Sequence, residues 1–176
     1  GFARDMDFQL VCKSETEVRY RLESSEETFS KYPFPFVLEI AYRLHDNKLD
    51  VIWDVMNPAS GDLYFQIGAH PAFNYPGYDP ETADRGYVVF DKTEGLKRVG
   101  FKEKGCVDPE SVCPLILGRD GMLPIKSDTF DPIDTIMLQD DQVHKVAFFK
   151  PDHSPYLTLT FDAPVVAIWS PPKRNA

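Results

Sequence analysis

Alternation with a period of two residues dominates this chain. Phe8, Leu10 and Cys12 share one parity, with Asp7, Gln9 and Val11 on the other. In Glu17-Val18-Arg19-Tyr20-Arg21-Leu22-Glu23 the apolar residues stand at 18, 20 and 22, with charged residues between them. Successive side chains of a strand point to opposite faces, so this pattern predicts a half-buried strand with one wet face. Phe36, Leu38, Ile40, Tyr42 and Leu44 form the next set, and Leu49, Val51, Trp53 and Val55 another. Between them lies His45-Asp46-Asn47-Lys48. Asp and Asn tolerate left-handed backbone angles, so the two sets are predicted to pair as a hairpin.

Further strands are predicted at 63–67, 87–90, 135–138, 143–149, 156–161 and 165–169. One short helix is expected in Ser24–Tyr32, which has a capping serine and an acidic first turn and is stopped by Pro33 and Pro35. The stretches 70–86 and 105–132 read as loops, and long loops on an antiparallel scaffold are where binding usually resides. The pattern predicts an all-β chain, one antiparallel β-sandwich domain over residues 1–176. The chain opens on Gly1 and closes on Pro171-Pro172-Lys173-Arg174-Asn175-Ala176, directly after an apolar run. Both ends read as cuts through a larger domain, so N- and C-terminal portions of the sandwich are expected to be missing.

Composition narrows the partners. Asp and Glu total 28 against 19 Lys and Arg, a net charge of -9, which repels a phosphate backbone and disfavours nucleic acid. No apolar run approaches the roughly 20 residues of a membrane helix, so no membrane partner is expected. Cys12, Cys106 and Cys113 are odd in number and lack paired spacing. They give neither a disulfide framework nor a zinc pattern, and fit reduced thiols in a cytoplasmic protein. No His-x-His or His-Glu-x-x-His spacing occurs, so no metal is expected; no Gly-x-Ser-x-Gly elbow marks a Ser-His-Asp hydrolase, and no glycine-rich phosphate loop is present. Aromatic residues make up 13% of the chain, which suits a β-rich fold, a site that stacks on flat ligand faces, or both.

Among the four histidines, His45, His144 and His153 fall in turns or at strand starts and read as surface residues. His70 differs. It follows Gly68-Ala69, two small residues that leave the backbone approachable, and Pro71 restricts it to extended geometry. Phe73, Tyr75 and Tyr78 crowd the next loop, with Asn74 among them. A titratable ring beside aromatic rings and an amide suits a sugar site, where rings stack on pyranose faces and amides bond hydroxyls. From context alone, a functional His70 and a satisfied core histidine both remain open.

Phe65-Gln66-Ile67-Gly68-Ala69-His70-Pro71-Ala72-Phe73-Asn74 resembles the aldose 1-epimerase family, in particular its LacX-like branch. Gly1-Phe2-Ala3-Arg4-Asp5-Met6-Asp7-Phe8 resembles the end of that branch's His-Gly-Phe-Ala-Arg motif. Tyr32-Pro33-Phe34-Pro35-Phe36 and Val55-Met56-Asn57 are similar to it as well, and the resemblance runs along nearly the whole chain. It implies a galactose mutarotase-like β-sandwich that interconverts the α and β anomers of a free monosaccharide such as galactose or glucose. A base takes the proton of the anomeric hydroxyl, an acid protonates the ring oxygen, and no cofactor is needed. By the resemblance, His70 is the general acid. Arg4 lies near the sugar, and Phe73 and Asn74 follow His70 in its own motif. Asp134 bonds sugar hydroxyls, with Asp131 the other carboxylate nearby.

The family's second histidine would precede Gly1, and its glutamate base would follow Pro171-Pro172. The isolated 176 residues are therefore expected to be inactive. A non-catalytic carbohydrate-binding sandwich and a hexose 6-phosphate epimerase are the competing readings; oligomeric state and the preferred sugar stay open.

Overall fold

The alternating segments are strands in the computed structural model, which describes residues 1–75, 79, 81–103, 105–130 and 135–170. The chain divides into two compact units, Gly1–Ala72 and Phe73–Ala176. The first unit is a four-stranded antiparallel meander of β1 (Gln9–Lys13), β2 (Glu17–Glu23), β3 (Val37–His45) and β4 (Lys48–Met56). The β3–β4 hairpin pairs without a break from Val37↔Met56 to His45↔Lys48. Asp46, in its turn, has a φ of 54°, the left-handed geometry expected of Asp or Asn there. The predicted helix is a single turn, α1 (Glu26–Phe29), closed by reciprocal bonds between Ser25 and Thr28.

Register sorts this sheet into two faces. One carries the rows Leu10–Tyr20–Ile40–Trp53, Val18–Tyr42–Val51 and Leu22–Leu38–Val55. At one end Leu22, Leu38 and Phe36 are buried beneath Phe2, Met6, Phe8 and Tyr32. The other end, with Leu44, Leu49, Val51 and Trp53, stays substantially exposed. The opposite face is charged yet not simply wet. Glu39 is only 8% exposed. Arg19 donates to it at 2.9 Å and Arg21 at 2.8 Å, and Arg19 also reaches Asp54 at 2.9 Å. The sequence pattern predicts solvent on this face; instead the guanidinium groups lie across the carboxylate and close it off.

The second unit has two four-stranded antiparallel sheets. One has the order β11 (Pro155–Thr160), β10 (Lys145–Phe149), β5 (Asp84–Phe90), β8 (Leu123–Lys126). The other has the order β12 (Val166–Trp169), β9 (Thr135–Leu138), β6 (Lys97–Glu103), β7 (Cys106–Pro114). Val88, Phe90, Leu123 and Val146 of the first sheet share a core with Ile136 and Leu138 of the second, capped by Leu96, Phe130 and Val143. Two sheets burying one shared layer is a β-sandwich, as predicted.

Two further readings of the sequence need correction. Residues 63–67 join no ladder among the described residues, and Tyr64 and Phe65 are 72% and 52% exposed. Their apolar run is not a buried strand. Conversely, the 105–132 stretch contains β7 and β8. Proline hid them, since Pro109, Pro114 and Pro124 suggest loops. Both strands are sheet edges, where a missing N–H breaks no interior ladder, and β7 also bulges between its pairs with Val99 and Gly100.

Leu138 is almost fully buried between the two sheets. Leu138→Ala should lower unfolding free energy by about 2–5 kcal/mol in urea titrations, whereas exposed Leu49→Ala should cost well under half of that. Hydrogen bonds from Arg19, and then Arg21, hold the Glu39 carboxyl below its ordinary value of 4.5. A lowered folded value stabilises the protein above the unfolded one, and that stability is lost as pH falls through the folded value. Glu39→Gln should therefore reduce stability at pH 7 and shrink its loss on acidification below about 4.5. Equal acid sensitivity in the two proteins would assign that loss to other carboxylates.

Candidate functional site

After β4 the backbone runs without regular structure through the segment that carries His70. It starts from a side-chain turn: Asn57 donates to the Gly61 carbonyl at 2.6 Å and accepts from the Ala59 N–H at 3.0 Å. Leu63 packs on the Phe36 cluster, and the Tyr32 hydroxyl donates to the Tyr64 carbonyl. Gln66 to Pro71 then lie exposed. Beside Gly68 the space is open, since a Cβ there would meet nothing within 4 Å. His70 is thus a surface-accessible ring on a loop whose backbone a ligand can approach.

The other expected site residues divide by unit. In the first, Arg4 belongs to a 3-10 turn, Phe2–Asp5. Its side chain is 82% exposed and its guanidinium donates to the Asp5 carboxylate at 3.0 Å. The pairing raises the Arg4 pKa and lowers that of Asp5. In the second, Phe73 is 47% exposed, a ring face available for stacking. Asn74 is exposed, and its carbonyl accepts from the Tyr156 hydroxyl. Asp134 and Asp131, like Tyr78, lie outside the described residues.

The remaining histidines have local roles. His45 lies 2.7 Å from Asp50, across the hairpin end. His144 lies 3.7 Å from Asp141. His153, at a φ of 61°, stacks on Tyr87 with ring centres 4.3 Å apart. Among the described residues no group of three or more His, Cys, Asp or Glu is placed to hold a metal ion, and no helix is long and apolar enough to cross a membrane.

Sequence reasoning places Tyr75 in the loop but misses its long-range partners. The Tyr75 hydroxyl donates to the Phe149 carbonyl at 3.0 Å, and its ring meets Tyr156 edge-on at 5.6 Å. Burial, then the neighbouring Asp152 charge, push the Tyr75 phenol upward and keep it a donor. Chemically, the loop carries an imidazole, followed in the chain by an exposed ring and an amide. This equipment suits proton transfer on a polyhydroxylated ligand.

The profile of the aldose 1-epimerase family matches residues 1–175. The plasmid and chromosomal LacX proteins of Lactococcus lactis subsp. lactis are each 27% identical over 118 residues, covering 66% of this chain and 40% of theirs. The crystal structure of a galactose mutarotase-like protein from Lactobacillus casei superposes with a TM-score of 0.86 at 30% identity, covering all of this chain and 60% of that one. That of a galactose mutarotase related enzyme from Lactobacillus acidophilus gives 0.82 at 26% identity, covering 97% and 56%. The chain therefore spans well under two thirds of each of these relatives.

Proposed function

The chain belongs to the aldose 1-epimerase family, and on that premise we propose that the protein interconverts the α and β anomers of a free aldose such as galactose or glucose. The observation that carries the reading is His70: an exposed imidazole in an open, non-ladder loop of a chain this family matches along residues 1–175. In this reading His70 protonates the ring oxygen while a carboxylate base removes the proton of the anomeric hydroxyl. The ring opens, the free aldehyde rotates, and the same two groups reverse the steps on the other face. Phe73 stacks on the apolar face of the pyranose, and Arg4, Asn74 and Asp134 bond its hydroxyls.

The base is assigned to polypeptide beyond these 176 residues, in keeping with the 60% of the Lactobacillus casei protein that they span. The stretch alone then lacks half of its acid–base pair and turns over little or not at all. All three cysteines are free thiols and two are exposed, which accords with a reducing, cytoplasmic setting.

Polarimetry of freshly dissolved α-glucose and α-galactose with the full-length protein tests the reading. Equilibration should outpace buffer, and His70→Asn should remove at least about a hundredfold of that acceleration. An unchanged rate in His70→Asn would refute the acid assignment. Sugar binding without acceleration would favour a carbohydrate-binding sandwich, and acceleration confined to hexose 6-phosphates would move the substrate to a phosphorylated sugar.

A further inference from the structure

We propose that Tyr32, Tyr75 and Tyr156 are positioning residues, three hydroxyls that clamp the backbone on either side of His70 and fix where its ring stands. The need arises from the loop. Proton transfer requires a donor held to within about half an ångström, and regular structure is the usual support. His70 stands outside regular structure, since residues 62–75 join no ladder among the described residues.

Upstream, in the first unit, the clamp is Tyr32. Its ring stacks on Phe2 and meets Phe36 edge-on, each with centres 5.9 Å apart, so the hydroxyl comes from a packed aromatic cluster. It takes the carbonyl of Tyr64, six residues before His70. Downstream, in the second unit, Tyr156 projects from β11 and takes the carbonyl of Asn74, four residues after His70. Tyr75 reaches the carbonyl of Phe149 at the end of β10.

Gly86 shows how closely the Tyr75 hydroxyl is seated. Its φ is +94°, and a Cβ there would run into both the Phe149 carbonyl oxygen and the Tyr75 hydroxyl. Glycine meets two demands at once: the backbone angle, and the notch that admits the phenol. Pro71 limits the backbone freedom of His70 between the two clamps. Each bond pins a main-chain carbonyl by a side chain, so the loop is fixed without forming a strand.

The inference rests on His70 as the acid only for its kinetic consequence. Tyr→Phe changes keep the rings and remove the donors. In the full-length protein, Tyr75→Phe/Tyr156→Phe should lower kcat for mutarotation about tenfold while KM stays within about twofold. Tyr32→Phe should act in the same direction. Histidine-ring NMR gives a readout independent of activity. The His70 ring signal, identified by its loss in His70→Asn, should shift or broaden in these variants, while those of His45 and His144 stay in place. An unmoved His70 signal in the double variant overturns the proposal, as does an unaltered kcat in an active protein. Should His70→Asn leave turnover intact, the acid reading fails while the ring signal still decides the clamp.

Discussion

Glu39 is a carboxylate held almost out of solvent between two guanidinium groups, and the first sheet exists in the one register that keeps it there. Removing a charge from water costs several kcal/mol unless hydrogen bonds replace the hydration. Arg19 and Arg21 supply them from β2, and Asp54 on β4 takes up the remaining reach of Arg19. Because the strand period is two, slipping β2 by one residue against β3 would leave the carboxylate among Val18, Tyr20 and Leu22. The charged face thus specifies the pairing, and the apolar face follows from it.

The second unit is organised differently. Its register is fixed by an apolar layer shared by two sheets, where Val88, Phe90 and Val146 meet Ile136 and Leu138. Polar irregularity is pushed to the margins. The prolines of β7, β8 and β11 all stand on edge strands, where they also deny a row of free N–H groups to foreign strands. One unit is ordered by paired charge and the other by packed hydrocarbon.

These differences explain what the sequence disclosed. The strands β2, β3 and β4 were legible because one parity is apolar and the other polar, with Asp46-Asn47 marking the turn. The sandwich was legible in outline for the same reason. Residues 63–67 misled because Leu63 alone inserts into a core while Tyr64, Phe65 and Ile67 face outward. The strands β7 and β8 were masked by prolines whose edge position only the sheet order reveals. His70 stood out through its small-residue and proline setting and its motif. The tyrosine hydroxyls around it did not, because Tyr75 meets Phe149 across 74 positions and Tyr156 meets Asn74 across 82. No local pattern encodes a bond of that range.

Gly86 has a consequence for how this lineage can change. Its hydrogen and the Tyr75 hydroxyl share one small volume against the Phe149 carbonyl. A larger residue at 86 is excluded by that carbonyl oxygen, and by the phenol as well. Loss of the phenol would still leave the Phe149 carbonyl oxygen in the way of a Cβ, and the positive φ would still favour glycine. The glycine is therefore required by the neighbouring strand as well as by the tyrosine, and a change at 75 alone does not free position 86.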